Sequence, residues 1–242
     1  MSGELKGRVI AITGATGGIG RAVALAAARE GAELVVIGRN LARLQAVHAE
    51  LEQLAPGAAL MAQLDLENAL ANDYDRIADA VLDRYGRLDG LVHCAGMLGT
   101  LTPIDEYDVP TWCRVMQVNV TAAFALTQVL LPALRKSVDA SIIFTSSSVG
   151  RKGRAYWGAY AVSKFAVEGL AQVIADETSG NSRVRVNTLN PGRARTAMRR
   201  QAYPSENLES LPLPETLVEP YLRLLGPRGA GITGQALDCQ PA

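Results

Sequence analysis

Thr13-Gly14-Ala15-Thr16-Gly17-Gly18-Ile19-Gly20 is the stretch on which the reading of this chain turns. It follows the β-branched run 8–13 (RVIAIT) and opens a segment, 18–29, whose alanine, leucine and valine residues recur at helical spacing. A glycine turn between strand and helix leaves the helix's free N–H groups and positive dipole end facing outward, where a phosphate can sit. Gly14 can take the tight turn, Gly18 lets the backbone approach a pyrophosphate, and Gly20 permits close packing of helix on strand. The alternative is a glycine-rich turn that holds nothing; the strand before it and the helix after it argue otherwise. No Gly-Lys-Ser/Thr follows, which excludes a mononucleotide P-loop.

Outward from this turn the same alternation repeats. Gly31 closes the first helix, 33–37 is a second apolar strand, and Asn40 caps a helix reaching about residue 54. Further strands are expected at 59–64, 88–94, 141–145 and 184–189. Helices fall between them, one ending near residue 85, a long apolar one over 109–136, and one over 159–178. Residues 235–238 supply a last short strand. Near-continuous apolar strands separated by helices predict an α/β fold, a doubly wound parallel sheet covered on both faces. No linker or repeat interrupts the pattern, so residues 1–242 read as a single domain. Residues 193–214, polar and carrying Pro204, Pro212 and Pro214, read as a mobile loop over the sheet's edge.

The end of the second strand, Val36-Ile37-Gly38-Arg39-Asn40, bears on which dinucleotide the turn would take. An acidic residue there would bond the adenosine ribose 2′-hydroxyl, and none is present. Arg39 offers a planar cation suited to a 2′-phosphate, which favours NADP over NAD; a merely solvated arginine is the alternative.

Tyr160 and Lys164 stand four apart in a helical segment and so share a face. An ammonium about 4 Å from a phenol contributes on the order of 4 kcal/mol at an effective dielectric of 20. That would lower the phenol by roughly 3 pKa units, enough for proton exchange with a carbonyl oxygen near neutrality. The pair alone is a weak signal. Ser147, thirteen residues earlier, stands at the C-terminal end of the fifth strand, where open parallel sheets bind ligands. Its hydroxyl can bond the same oxygen.

The 24 basic and 24 acidic side chains cancel, so bulk charge points to neither nucleic acid nor an anionic membrane. Cys94, Cys113 and Cys239 show no pairing or metal-ligand rhythm, which fits a reducing cytoplasm. His48 reads as surface and His93 as core, and no metal is expected. The N-terminus lacks the apolar core of a signal peptide, and no run approaches roughly 18 consecutive apolar residues.

Thr13 to Gly20, Asp65, Ala95-Gly96, Asn119, Ser147, Tyr160, Lys164 and Pro191-Gly192 occur in an order that resembles the compact short-chain dehydrogenase/reductases. The resemblance spans about residues 5–240. Through 145–164 and 190–198 it narrows to a bacterial branch, the YciK-type oxidoreductases. It implies a seven-stranded sheet, usually in homotetramers built from the long helices, and hydride transfer between NADP(H) and a carbonyl or alcohol carbon. It implies that Tyr160 is the general acid/base, that Lys164 binds the nicotinamide ribose, that Ser147 orients the carbonyl, and that Asn119 holds a water linking Lys164 to solvent. Cofactor contacts are implied at Thr13, Gly14, Gly18, Ile19, Gly20, Arg39, Ala95, Gly96, Pro191 and Gly192, with Asp65 on the adenine and Thr196 near the nicotinamide. One departure is Cys94, where the family usually has the Asn of Asn-Ala-Gly.

Two expectations concern the cleft's surroundings. Arg151, Lys152 and Arg154 after Ser147, with Arg193, Arg195, Arg199 and Arg200 opposite, could attract an anionic substrate; solvated loop residues or subunit contacts are the alternative. Trp157 and Trp112 line the substrate space or pack beneath it. A competing reading of the whole chain is a catalytically silent NADP-binding sensor or scaffold on the same fold.

Overall fold

The computed structural model describes residues 3–180 and 183–240. Its centre is the seven-stranded parallel sheet expected, in the order β3-β2-β1-β4-β5-β6-β7. The strands are β1 (Val9–Thr13), β2 (Glu33–Gly38), β3 (Ala59–Gln63), β4 (Gly90–His93), β5 (Ala140–Thr145), β6 (Val184–Asn190) and β7 (Ala236–Asp238). Because side chains alternate across a strand, β1 sends Ile10 and Ile12 to one face and Val9 and Ala11 to the other. The first face packs on α1 (Gly18–Arg29), α2 (Leu41–Leu54) and α8 (Glu219–Leu225) through Val23, Leu44, Leu51 and Tyr221. The second packs on α3 (Ala71–Tyr85), α5 (Ala122–Arg135) and α6 (Gly158–Thr178) through Val81, Leu126, Leu130 and Val167. Each such aliphatic side chain, fully buried, contributes about 1.5–3 kcal/mol.

Strand order reverses around β1, which pairs with β2 on one side and β4 on the other. Thr13 is level with both Ile37 and His93, and His93 with Phe144, so the carboxyl ends of β1, β2, β4 and β5 finish on one edge. That edge is the crevice in which open α/β sheets bind ligands.

Two segments differ from expectation. The long helix over 109–136 is three pieces: α4 (Val109–Met116), a π-helical turn Gln117–Thr121, and α5. By length and composition the run Val109–Arg135 could cross a membrane; here Leu126, Leu130, Ala133 and Leu134 are buried against the sheet. The stretch 193–214, expected as loop, contains the helix α7 (Ala197–Ala202) and a 3-10 turn at Leu208–Ser210. Thr196 starts α7, its hydroxyl accepting from the Arg199 amide at 3.1 Å. The later prolines lie outside this helix, and a six-residue helix is too short to leave a periodic signal.

Candidate active site

At the first crossover, Gly14 and Gly18 take φ of +68° and +51°, the left-handed region open to glycine. A Cβ on Gly14 would stand 2.7 Å from the Ala95 amide nitrogen, and one on Gly20 would collide with the Gly14 carbonyl. Those two glycines are needed by the protein's own backbone. A Cβ on Gly17 would meet nothing within 4 Å and one on Gly18 only the Thr196 side chain, its methyl at 3.4 Å, so the start of α1 is open. Thr13 is buried and its hydroxyl accepts from the Ala95 amide at 3.1 Å. It thus ties β1 to the Ala95-Gly96 loop at the floor of the groove.

From this turn a groove of about 670 Å³ runs over the β2 end, lined by Thr16, Gly38, Arg39, Arg43, Asp65 and Gly96 among others. Arg39 is well exposed, its guanidinium 3.9 Å from Glu67. Arg43, in the first turn of α2, faces the same groove; it was legible as a second cation four residues after Arg39. Asp65 accepts from the Glu67 amide at 3.3 Å and from Asn68 Nδ2 at 2.8 Å.

A second cleft of about 350 Å³ shares Gly14, Thr16 and Gly96 with the groove. It continues past Ile19 and Gly20 to Ala95, Ser147, Tyr160, Lys164, Pro191, Gly192 and Thr196. Tyr160 and Lys164 are buried on α6, and Ser147 heads the turn Ser148–Gly150 after β5. That turn lies hard against α6: a Cβ on Gly150 would be 2.7 Å from Lys164 Cβ. Lys164 Nζ donates to the Thr145 carbonyl at 2.7 Å and lies 5.5 Å from the Tyr160 ring centre. At Pro191-Gly192, Gln240 Nε2 donates to the Pro191 carbonyl at 2.7 Å, fixing the turn.

Asn119 sits in the π-helical turn and is buried. Its Oδ1 accepts from the Met97 amide at 2.7 Å, while Nδ2 donates to the Met97 carbonyl and to Ser163 Oγ, both at 2.9 Å. All its amide hydrogens and one oxygen lone pair therefore hold the 95–98 loop and α6.

The electrostatics correct one sequence expectation. Burial pushes the Tyr160 phenol up to about 12, with its contact to Ser147 acting downward. Burial outweighs the neighbouring ammonium, and it pulls Lys164 itself down to about 8, against the attraction of Cys94 and Glu168. Two groups crowded into one apolar pocket each resist their charged form. The phenol is thus a protonated hydroxyl at neutral pH, a donor poised in the cleft. Glu168, one turn beyond Lys164, is buried and accepts from Arg151 Nε at 3.1 Å and Thr188 Oγ1 at 2.5 Å. It was missed in the sequence, although its i+4 spacing from Lys164 was legible.

Cys94 sits beneath, its thiol 3.2 Å from Thr145 Oγ1, which is in turn 3.1 Å from the Tyr221 hydroxyl. Burial pushes this thiol up to about 11, leaving it protonated. His93 is core as expected, stacked on Phe144 at 4.7 Å and bonded to Thr127 Oγ1 at 2.9 Å. His48, read as surface, is half-buried, 3.2 Å from the Ala59 carbonyl. Trp112 packs edge-on against Tyr107, whereas Trp157 lines the cleft 5.7 Å from the Tyr160 ring.

Of the seven cations around the cleft, Arg151 and Arg199 are paired with carboxylates of this chain, and Arg154 and Arg195 are held by neutral oxygens. Arg151 bonds Glu168 and Asp238, and Arg199 makes two bonds to Glu206, at 2.5 and 2.6 Å. Arg195 donates to the Glu209 carbonyl, and Arg154 to the Tyr203 hydroxyl at 2.7 Å.

Comparison with known proteins agrees with this geometry. The short chain dehydrogenase family model matches residues 8–207. YciK, an uncharacterized oxidoreductase of Escherichia coli (strain K12), is 46% identical over 98% of this chain and 93% of its own length. A solved structure of the short chain dehydrogenase type from Pseudomonas syringae superposes with a TM-score of 0.97 at 51% identity, covering 99% of this chain and 97% of that one. Another, from Escherichia coli CFT073 and complexed with NADPH, has a TM-score of 0.96 at 46% identity, with 100% of both chains covered. On the matched sequence and the shared fold, this chain belongs to the short chain dehydrogenase family and is an oxidoreductase.

Proposed function

We propose that this oxidoreductase moves a hydride between NADP(H) and a carbonyl or alcohol carbon. The observation that carries the reading is the convergence of Ser147, Tyr160 and Lys164 on one cleft continuous with the open start of α1. The residues present fit the dinucleotide. The glycine turn offers unblocked N–H groups to a pyrophosphate, and Arg39 and Arg43 flank the groove where a 2′-phosphate would lie. The complex of the Escherichia coli CFT073 relative with NADPH supports the same choice. When bound, the cofactor supplies or accepts the hydride.

The chain's own residues manage the proton and the oxygen. Ser147 bonds the substrate oxygen, and Tyr160, protonated at neutral pH, delivers its proton to that oxygen as the carbon is reduced. Lys164, held by the Thr145 carbonyl, stabilises the phenolate that remains and would hold the nicotinamide ribose. Asn119 fixes the 95–98 loop beside them. Water reaches Lys164 near Asn119 in this account, although the Asn119 amide itself is engaged by Met97 and Ser163.

The same proposal covers assembly and location. Phe124 on α5 and Phe165 and Val173 on α6 are exposed apolar side chains on the two long helices, supporting a homo-oligomer, dimer or tetramer. The three cysteines are free thiols, in keeping with a cytoplasmic site of action. The cofactor assignment is tested by Arg39→Asp. KM for NADPH should rise by on the order of tenfold or more, the worth of a charge-assisted phosphate contact, while KM for NADH holds or falls. A wild-type preference for NADH would overturn it.

A further inference from the structure

Around the Tyr160 ring, one wall of the cleft is carbon. Leu98, Trp157, Met198 and Ala202 line it and pack together with the Tyr160 ring as one apolar cluster. Trp157 is held before any substrate arrives. Its ring lies 5.9 Å from that of Tyr203, and the Arg154 guanidinium, bonded to the Tyr203 hydroxyl, sits 5.9 Å over it. The residue preceding it, Tyr156, has φ of +72°, a conformation costly for a side-chain-bearing residue, so the loop is constrained where it delivers the tryptophan. Of the cations that line the cleft, Lys164 is bonded to the Thr145 carbonyl and Arg199 is doubly bonded to Glu206, while Arg43 belongs to the end near Thr16 and Gly17.

Resting on the carbonyl chemistry proposed above, we infer that the substrate carries, beside its reacting carbon, an uncharged flat aromatic or conjugated group that is seated against Trp157. A carboxylate in that position would leave water for apolar walls and an arginine already paired, with no compensating bond. A preformed aromatic wall gives affinity to a planar group because little ordering remains to be done on binding.

The experiment uses the full chain saturated with NADPH and three aldehydes: benzaldehyde, 4-carboxybenzaldehyde and cyclohexanecarboxaldehyde. Benzaldehyde should exceed its carboxylated analogue in kcat/KM by on the order of tenfold or more. Trp157→Leu, which keeps apolar volume, should lower the ratio of benzaldehyde to cyclohexanecarboxaldehyde by about 2- to 10-fold, the range of an aromatic pair. Glu206→Gln, which releases Arg199, should improve the carboxylated aldehyde relative to the neutral one. Equal or faster turnover of the carboxylated aldehyde by the wild type, or an unmoved ratio in Trp157→Leu, overturns the inference while leaving the carbonyl reading in place. If no aldehyde consumes NADPH above the rate of Tyr160→Phe, the carbonyl reading itself fails, and this inference with it.

Discussion

Replacing Asn119 with alanine removes three hydrogen bonds at once: Met97 amide to Oδ1, and Nδ2 to the Met97 carbonyl and to Ser163 Oγ. Each such bond contributes about 1 kcal/mol net, and a buried partner left unmet costs more than that mean. Ser163 keeps a bond, since its hydroxyl donates to the Tyr160 carbonyl at 2.8 Å, so the severe loss falls on Met97. The expected destabilisation is about 3 kcal/mol, which at a urea slope near 3 kcal/mol/M moves the unfolding midpoint by roughly 1 M. Because Met97 follows Ala95-Gly96 along the groove, NADPH binding by the folded variant should weaken as well. Asn119→Asp keeps the acceptor but turns a second oxygen toward the Met97 carbonyl, and should do no better than alanine. Urea titration with NADPH titration of the same samples reads both effects. A midpoint shift under about 0.3 M, with unchanged cofactor affinity, would refute the bonding argument.

Two further outcomes follow from buried titratable groups. His93 is pushed down to about 3 by burial, with Lys164 acting in the same direction. The unfolded chain, with histidine near 6.5, then takes up a proton that the folded chain refuses. Stability therefore falls as pH drops from the unfolded value towards about 3, by roughly 2 kcal/mol between pH 7 and 5. Denaturation curves at the two pH values should show a loss of that size in wild type that shrinks in His93→Gln; an equal loss in both would contradict the reasoning. Glu168→Gln removes an attraction that raises Lys164, so Lys164 should drop below about 8. The corresponding limb of the pH profile of kcat/KM should move to lower pH, and a shift to higher pH would be the wrong sign.

The fold was legible because its signals are local and repeated. The RVIAIT strand and the glycine turn announce a strand-to-helix crossover, and the other strands carry the same buried apolar character. Asn40, chosen as a cap, accepts from the Arg43 amide at 2.9 Å. The convergence of Ser147, Tyr160 and Lys164 was legible through helical spacing and the rule for sheet ends. Hidden features depend on partners distant in sequence. The π turn widens the helix around Asn119 so that its amide reaches Met97 and Ser163, 22 and 44 residues away. Arg151 looked free because Glu168 stands 17 residues on, in α6, and Arg199 because a stretch read as loop gave no sign that it folds back to set Glu206 against it. The acidity of Tyr160 was misjudged for a related reason. Spacing gives the proximity of an ammonium, but the depth of burial that opposes it is a property of the whole core.

The most direct test of the account is NADPH consumption by Tyr160→Phe with the best aldehyde or ketone of a carbonyl panel, alongside NADPH affinity measured by fluorescence. Loss of the proton donor should lower kcat by about 10²- to 10⁴-fold while NADPH still binds. A variant that turns over within about tenfold of wild type would show that the Tyr160 hydroxyl is not the group that protonates the substrate oxygen.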